Sequence, residues 1–228
     1  MSVITKVLAT GGILGAVGSG GYVATYLLSN NFTDKSIKNK EDDNSLGKSL
    51  RDKGHTLLDF DTSKTESDKA TWNPILVAYS KSNKKLNGKT INVAGDAPTP
   101  ENINDLKKEC AKATASSDYN NDTLLITEQF CMRPISIKEL AENNRATPLD
   151  ADVTNENDSD KWDIKVDKYL ETTEEKRITN VTLETKSETN QKANRDKLRA
   201  ECKKFEIIKT HETDFHTKYE KYLAWCVV

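Results

Sequence analysis

The sequence predicts a mainly α-helical protein, with an amino-terminal transmembrane helix followed by two tandem helical repeats of about 90 residues. Three observations carry this prediction. An uncharged span of 22 residues lies near the start, apolar residues recur at helical spacing through the rest, and one set of landmarks occurs twice. The first copy runs Leu58-Asp59-Phe60-Asp61, Trp72, Tyr79, Leu106 to Cys110 and Phe130-Cys131. The second runs Leu149-Asp150-Ala151-Asp152, Trp162, Tyr169, Leu198 to Cys202 and Trp225-Cys226. On this reading residues 1–30 hold the anchor, 31–47 a polar linker, 48–133 the first repeat and 134–228 the second.

The span from Val7 to Leu28 would reach about 33 Å as a helix, enough to cross a bilayer. Six of the chain's ten glycines lie within it. Lipid leaves the backbone no partner but itself, so a glycine-rich helix survives there, and Gly11 and Gly15 stand at GxxxG spacing. We read an uncleaved single-pass anchor; a cleaved signal peptide and a soluble tail are the competing readings. Lys35, Lys38 and Lys40 follow the span and would hold the body in the cytoplasm, whereas paired cysteines argue for the outside. We expect the cell membrane, with the body extracellular. The linker reads as a stalk, helical in part from Ser36.

Composition narrows the rest. Charged residues make up 31 % of the chain against 35 % hydrophobic, so the core must be small. A net charge of −2 gives none of the basic surplus of a nucleic-acid binder, and no nucleic-acid partner is expected.

Each repeat then follows one plan. A short helix ends near Gly54, a C′ glycine. Trp72, Ile75, Leu76 and Tyr79 form one helical face, with Pro74 in the first turn. Residues 81–97 read as loop. Thr99-Pro100-Glu101 starts a helix carrying Ile103, Leu106, Cys110 and Ala113. Asp122 to Met132 has weaker periodicity. In the second copy Trp162, Val166, Tyr169 and Leu170 repeat the tryptophan helix, and Arg177 to Ser187 reads as a short extended segment. Leu198, Cys202 and Phe205 follow, then the clearest helix, with Phe215, Tyr219, Tyr222, Leu223 and Cys226 on one face. Trp72, Tyr79, Trp162, Tyr169 and Trp225 are the core anchors.

The four cysteines fall as one pair per repeat, Cys110 with Cys131 and Cys202 with Cys226. In an oxidising location each pair would bridge neighbouring helices and contribute roughly 3 kcal/mol. In a reducing cytosol they would be buried thiols.

Catalytic motifs are missing, and we expect no enzyme, cofactor or metal. There is no C-x-x-C, G-x-S-x-G or G-x-G-x-x-G. Gly88-Lys89-Thr90 lacks the first glycine of a phosphate loop, since Asn83 stands there. The D-x-D pairs invite calcium, but loops begun at Asp59 and Asp150 lack the required glycine and glutamate, so turn and capping bonds are the plainer reading. His211 and His216 look like a zinc helix one residue too long. At i and i+5 they stand about 140° apart, so we read them as solvent-facing.

The glycine-rich span, Lys35 to Lys38, Gly54-His55-Thr56-Leu57-Leu58, Trp72 with Tyr79, the Leu-x-x-x-Cys helices and the closing aromatic-Cys pairs together resemble the paralogous membrane and surface protein families of hemotropic mycoplasmas. The resemblance covers nearly the whole chain and departs from the pattern at Phe130, where it implies tryptophan. It implies a surface-exposed, antigenically variable protein and supplies no catalytic residue. The expected function is therefore a non-enzymatic surface protein in host contact or antigenic variation, with a host protein as partner. The alternatives are a cytoplasmic-facing membrane scaffold with reduced cysteines, and an enzyme or metal protein using Asp59/Asp61 and Asp150/Asp152.

Overall fold

The computed structural model describes residues 44–228. The span from Val7 to Leu28, and the linker up to residue 43, lie outside the described residues. Among those described, no helix is long and apolar enough to cross a membrane. Eight α-helices make up the fold, four in residues 44–133 and four in 134–228. The first four are α1 (Leu46–Asp52), α2 (Thr65–Lys81), α3 (Pro100–Ala115) and α4 (Asn121–Cys131). The second four are α5 (Ile137–Asn143), α6 (Ser159–Glu171), α7 (Glu188–Glu206) and α8 (Phe215–Trp225).

Side-chain caps start most of these helices. Ser45, Asn120, Ser136 and Ser187 each accept a backbone N–H from the first turn, and Thr99 forms a reciprocal capping box with Asn102. α1 takes in Leu46 and Gly47, both buried. α1 stops at Gly54 (φ 85°) in a Schellman turn: Gly54 N–H donates to Arg51 O and His55 N–H to Leu50 O. α5 ends with the same two bonds around Arg145 (φ 63°).

Two expectations change. α2 begins at Thr65 rather than near Trp72, so Pro74 lies inside it and not in its first turn. The proline leaves Ala70 O without its helical donor, which is tolerable because Ala70 is exposed. Residues 177–187 form no strand, and only isolated bridges occur among the described residues. A buried amide takes the place of a neighbouring strand. Asn194 Oδ1 accepts from Glu184 N–H and its Nδ2 donates to Glu184 O, at 2.9 and 3.0 Å.

The core of each half is built on its tryptophan, tyrosine and disulfide. Trp72, Tyr79, Trp162, Tyr169 and Trp225 are all buried. Tyr79 meets the ring of Phe130 edge-on at 5.2 Å, and Tyr169 meets Trp225 at 4.8 Å. Cys110 is bonded to Cys131, joining α3 to α4, and Cys202 to Cys226, joining α7 to the end of α8. The Cα separations are 5.4 and 5.6 Å. The chain around each bridge is then pinned to the segment before the D-x-D loop. Leu58 N–H donates to Cys131 O and Arg133 N–H to Thr56 O; Leu149 N–H donates to Cys226 O and Val228 N–H to Thr147 O.

Tyrosine hydroxyls hold the loops that follow the tryptophan helices. Tyr79 Oη donates to Lys89 O and accepts from Leu86 N–H, and burial pushes its pKa up to about 12. Tyr169 Oη lies 3.1 Å from both Ile178 O and Val181 O.

A cation lies at the bottom of each half. Lys107 and Arg199 are both 0 % exposed. Lys107 Nζ donates to Asp61 O at 2.8 Å and to Asp68 Oδ2 at 3.0 Å, 5.7 Å from the centre of the Trp72 ring. The Arg199 guanidinium donates to Asp150 O, Asn155 O and Asn157 O and lies 5.9 Å from the Trp162 ring centre. Trp162 Nε1–H also donates to Asp150 O.

Gly54→Ala isolates the backbone contribution at the α1 terminus, because an added Cβ there meets nothing within 4 Å. It should lower unfolding free energy by about 1 kcal/mol through the positive φ alone. Urea unfolding checks this; no loss would mean the turn carries no conformational demand.

Candidate functional site

The sequence offers three places for chemistry: the D-x-D loops, the cysteines and the histidines. The D-x-D carboxylates are committed to their own loops. Asp59 accepts from Asp61 N–H and Lys64 Nζ, and Asp61 accepts from both the N–H and the hydroxyl of Ser63. Asp150 accepts from Asp152 N–H and from the side-chain amides of Asn155 and Asn157; Asp152 accepts twice from Thr154. These bonds hold all four carboxyls below the ordinary range, led by Lys64 at Asp59, Ser63 at Asp61, Asn157 at Asp150 and Thr154 at Asp152. The carbonyls of the second loop already face Arg199. Among the described residues no group of three or more metal-binding side chains comes together. The cysteines, all bridged, are buried.

The histidines are placed differently from their expected solvent-facing positions. His216 is partly buried on α8, and its Nε2 lies 3.3 Å from Leu125 O on α4, in the other half of the molecule. With a carbonyl as partner, Nε2 must carry the hydrogen. Gln129 Nε2 crosses the same seam to donate to Glu212 O at 3.0 Å. One residue before Gln129, Glu128 is buried and forms a 3.2 Å ion-pair contact with His55 Nε2. In the sequence His55 belongs to the Gly54-His55-Thr56-Leu57-Leu58 segment that carries part of the resemblance, and nothing there points to a carboxylate partner. The usable signal is Glu128 itself, the one charged residue between Leu124 and Cys131.

Burial decides the charge states here. Desolvation lowers the His216 pKa from its ordinary value, against the nearby Glu128 that raises it. His211 is lowered for the same reason. Burial opposes the Glu128 carboxylate, but the hydrogen bond and charge of His55, with His216 and Lys53, outweigh it and hold the acid below its ordinary range.

Beside these groups an open cleft of about 500 Å³ lies between α2 and the segment leading into α8. Asn73, Pro74, Val77 and Lys81 line one wall, and His211, Glu212, Thr213 and Lys218 the other. Asn73 Oδ1 and His211 Nδ1 are buried without protein partners. No family model, curated protein or solved structure matches the chain. The seam thus offers polar groups and a cleft, with no assembled nucleophile and base.

Removing the seam carboxylate should be felt in stability. Glu128→Ala leaves the buried His55 without its acceptor and should cost about 2 kcal/mol at pH 7.5. Chemical denaturation measures it, and an unchanged midpoint would show that the pair contributes nothing.

Proposed function

We propose that the chain is a non-enzymatic, membrane-anchored surface protein engaged in host contact or antigenic variation. Residues 7–28 serve as its single-pass anchor, and the folded body is displayed outside the cell. The observation that carries this reading is the pair of buried disulfides, one closing each half. Cytosolic thiol pools keep such pairs reduced, so two structural bridges suit an oxidising location.

The matched bonding of the two halves supports reading residues 48–133 and 134–228 as two copies of one repeat. In both, a disulfide joins the third and fourth helices, a cation lies beside the tryptophan, and the chain after the last helix pairs with the segment before the D-x-D loop. Such a body suits antigenic variation because its structural demands fall on a few buried positions, while polar outer residues can change at small cost. The resemblance to the hemotropic mycoplasma families points the same way and makes a host protein the natural partner.

Lys35, Lys38 and Lys40 favour the opposite orientation, in which the body is a cytoplasmic-facing scaffold with reduced cysteines. Intact cells bearing the protein can be treated with a membrane-impermeant amine reagent, then denatured in the presence of a thiol alkylator. The surface reading expects lysine labelling without lysis and four cysteines protected until reduction. Lysine labelling only after lysis, with four free thiols, would establish the scaffold instead.

A further inference from the structure

The chain has three histidines, and all of them gather at or just behind one seam. His216 reaches across it to Leu125 O, His211 lines the cleft along it, and His55 stands behind it against Glu128. Each half has its own disulfide, so the parts on either side of the seam are closed independently. The second half also has an apolar core drawn wholly from residues 137–227.

The seam has little capacity for an added proton. The neutral His216 ring spends its one N–H on Leu125 O, and protonation keeps that bond but places a charge on a partly buried ring at the junction of the two halves. The ring also packs at 4.9 Å against Phe215, an apolar neighbour. The charged groups that act on His216 are Glu128 from α4, Lys84 from the loop after α2, and Glu220 from α8 itself. Lys84 opposes the added charge while the two acids and the Leu125 carbonyl favour it, and burial, acting with Lys84, outweighs those three. Around His211 the corresponding groups are Glu212 and Lys209, with the Lys81–Asp96 ion pair on the facing wall of the cleft. Glu128 in turn faces His55 and Lys53 as well as His216.

We infer that this seam is an acid-sensitive joint, at which the two halves part as His216 takes up a proton while each disulfide-closed half stays folded. The sign follows from linkage. A histidine held below its ordinary value of 6.5 binds fewer protons in the closed state than in the open one. Its contribution to closure is present above that value and is lost as pH falls below it. Glu128, held below 4.5, acts in the same direction but only at lower pH. His216 and His211 therefore weaken closure progressively as pH falls below 6.5, at higher pH than Glu128 does. This inference does not depend on which side of the membrane the body occupies.

Radical footprinting of the full chain at pH 7.5 and pH 5.0 tests it, read at aliphatic seam residues whose oxidation chemistry does not itself titrate. Oxidation of the half-buried Leu125 and Val77 should rise at least threefold at pH 5.0, while Trp72 and Trp162 in the two cores stay protected. His216→Gln can still donate to Leu125 O but cannot take a charge, and it should abolish most of the rise. Glu128→Gln removes an anion that favours the charged ring, so its rise should begin at higher pH. Equal oxidation at both pH values would overturn the inference, as would simultaneous exposure of the tryptophans, which marks global unfolding. An undiminished rise in His216→Gln would also overturn it. Should that variant not fold, the direction of the Glu128→Gln shift decides, and a shift to lower pH or no shift counts against the joint.

Discussion

A cation buried beside a tryptophan sets the form of each half. A side-chain charge out of water is costly unless it meets fixed dipoles or an opposite charge, and here it meets backbone carbonyls of the D-x-D loop. Lys107 finds Asp61 O and the Asp68 carboxylate, and Arg199 finds the carbonyls of Asp150, Asn155 and Asn157. Both cations stand three residues before a bridged cysteine on the same helix. The D-x-D loop, the tryptophan helix and the disulfide helix are thus fixed at one point. The loop resembles a calcium loop in its aspartates and its inward carbonyls. A guanidinium on the chain itself stands where a metal would be needed to gather those oxygens.

The two halves reach this arrangement with different residues, and the differences are locally compensated. Trp225 donates its indole N–H to Lys176 O, anchoring the loop after α6. Phe130 has no such donor, and in the first half Asn87 Nδ2 ties the corresponding loop to Glu109 at 2.9 Å. Gly54 takes the left-handed turn position at the end of α1, where α5 uses Arg145. Gly47 allows α1 to approach Thr114 closely, since an added Cβ would come within 2.9 Å of Thr114 O. The seam lies between these two self-consistent units. Polar and titratable groups there stand among a few aliphatic side chains such as Val77 and Ala78.

Much of this was legible in the sequence because it depends on spacing. Cys110, Cys202, Trp72, Trp162 and Tyr169 fall on apolar helical stripes, and their burial follows from that periodicity. Where polar side chains carry the structure, periodicity says nothing. The first two turns of α2, Thr65 to Ala70, have no apolar stripe, so the helix could not be seen to begin there. Leu86 and Ile91 are buried in a loop held by a tyrosine hydroxyl, a long-range bond no local pattern reveals. Lys107 and Arg199 could have been noticed: each is a cation inside the apolar stripe, at the same distance before its cysteine. The histidine seam needed the tertiary arrangement, because His55, Glu128 and His216 are far apart in the chain.

The most direct test of the buried-cation account is the unfolding free energy of Arg199→Met beside the unaltered protein. Methionine fills similar volume and can pack on Trp162, so packing is largely kept while Asn155 O and Asn157 O lose their donor and Asp150 O keeps only the Trp162 indole N–H. We expect a loss of about 3–5 kcal/mol, with the 150–158 loop the first region to gain hydrogen exchange. A loss below about 1 kcal/mol, or a gain, would show that apolar packing alone holds the half together and would contradict the account.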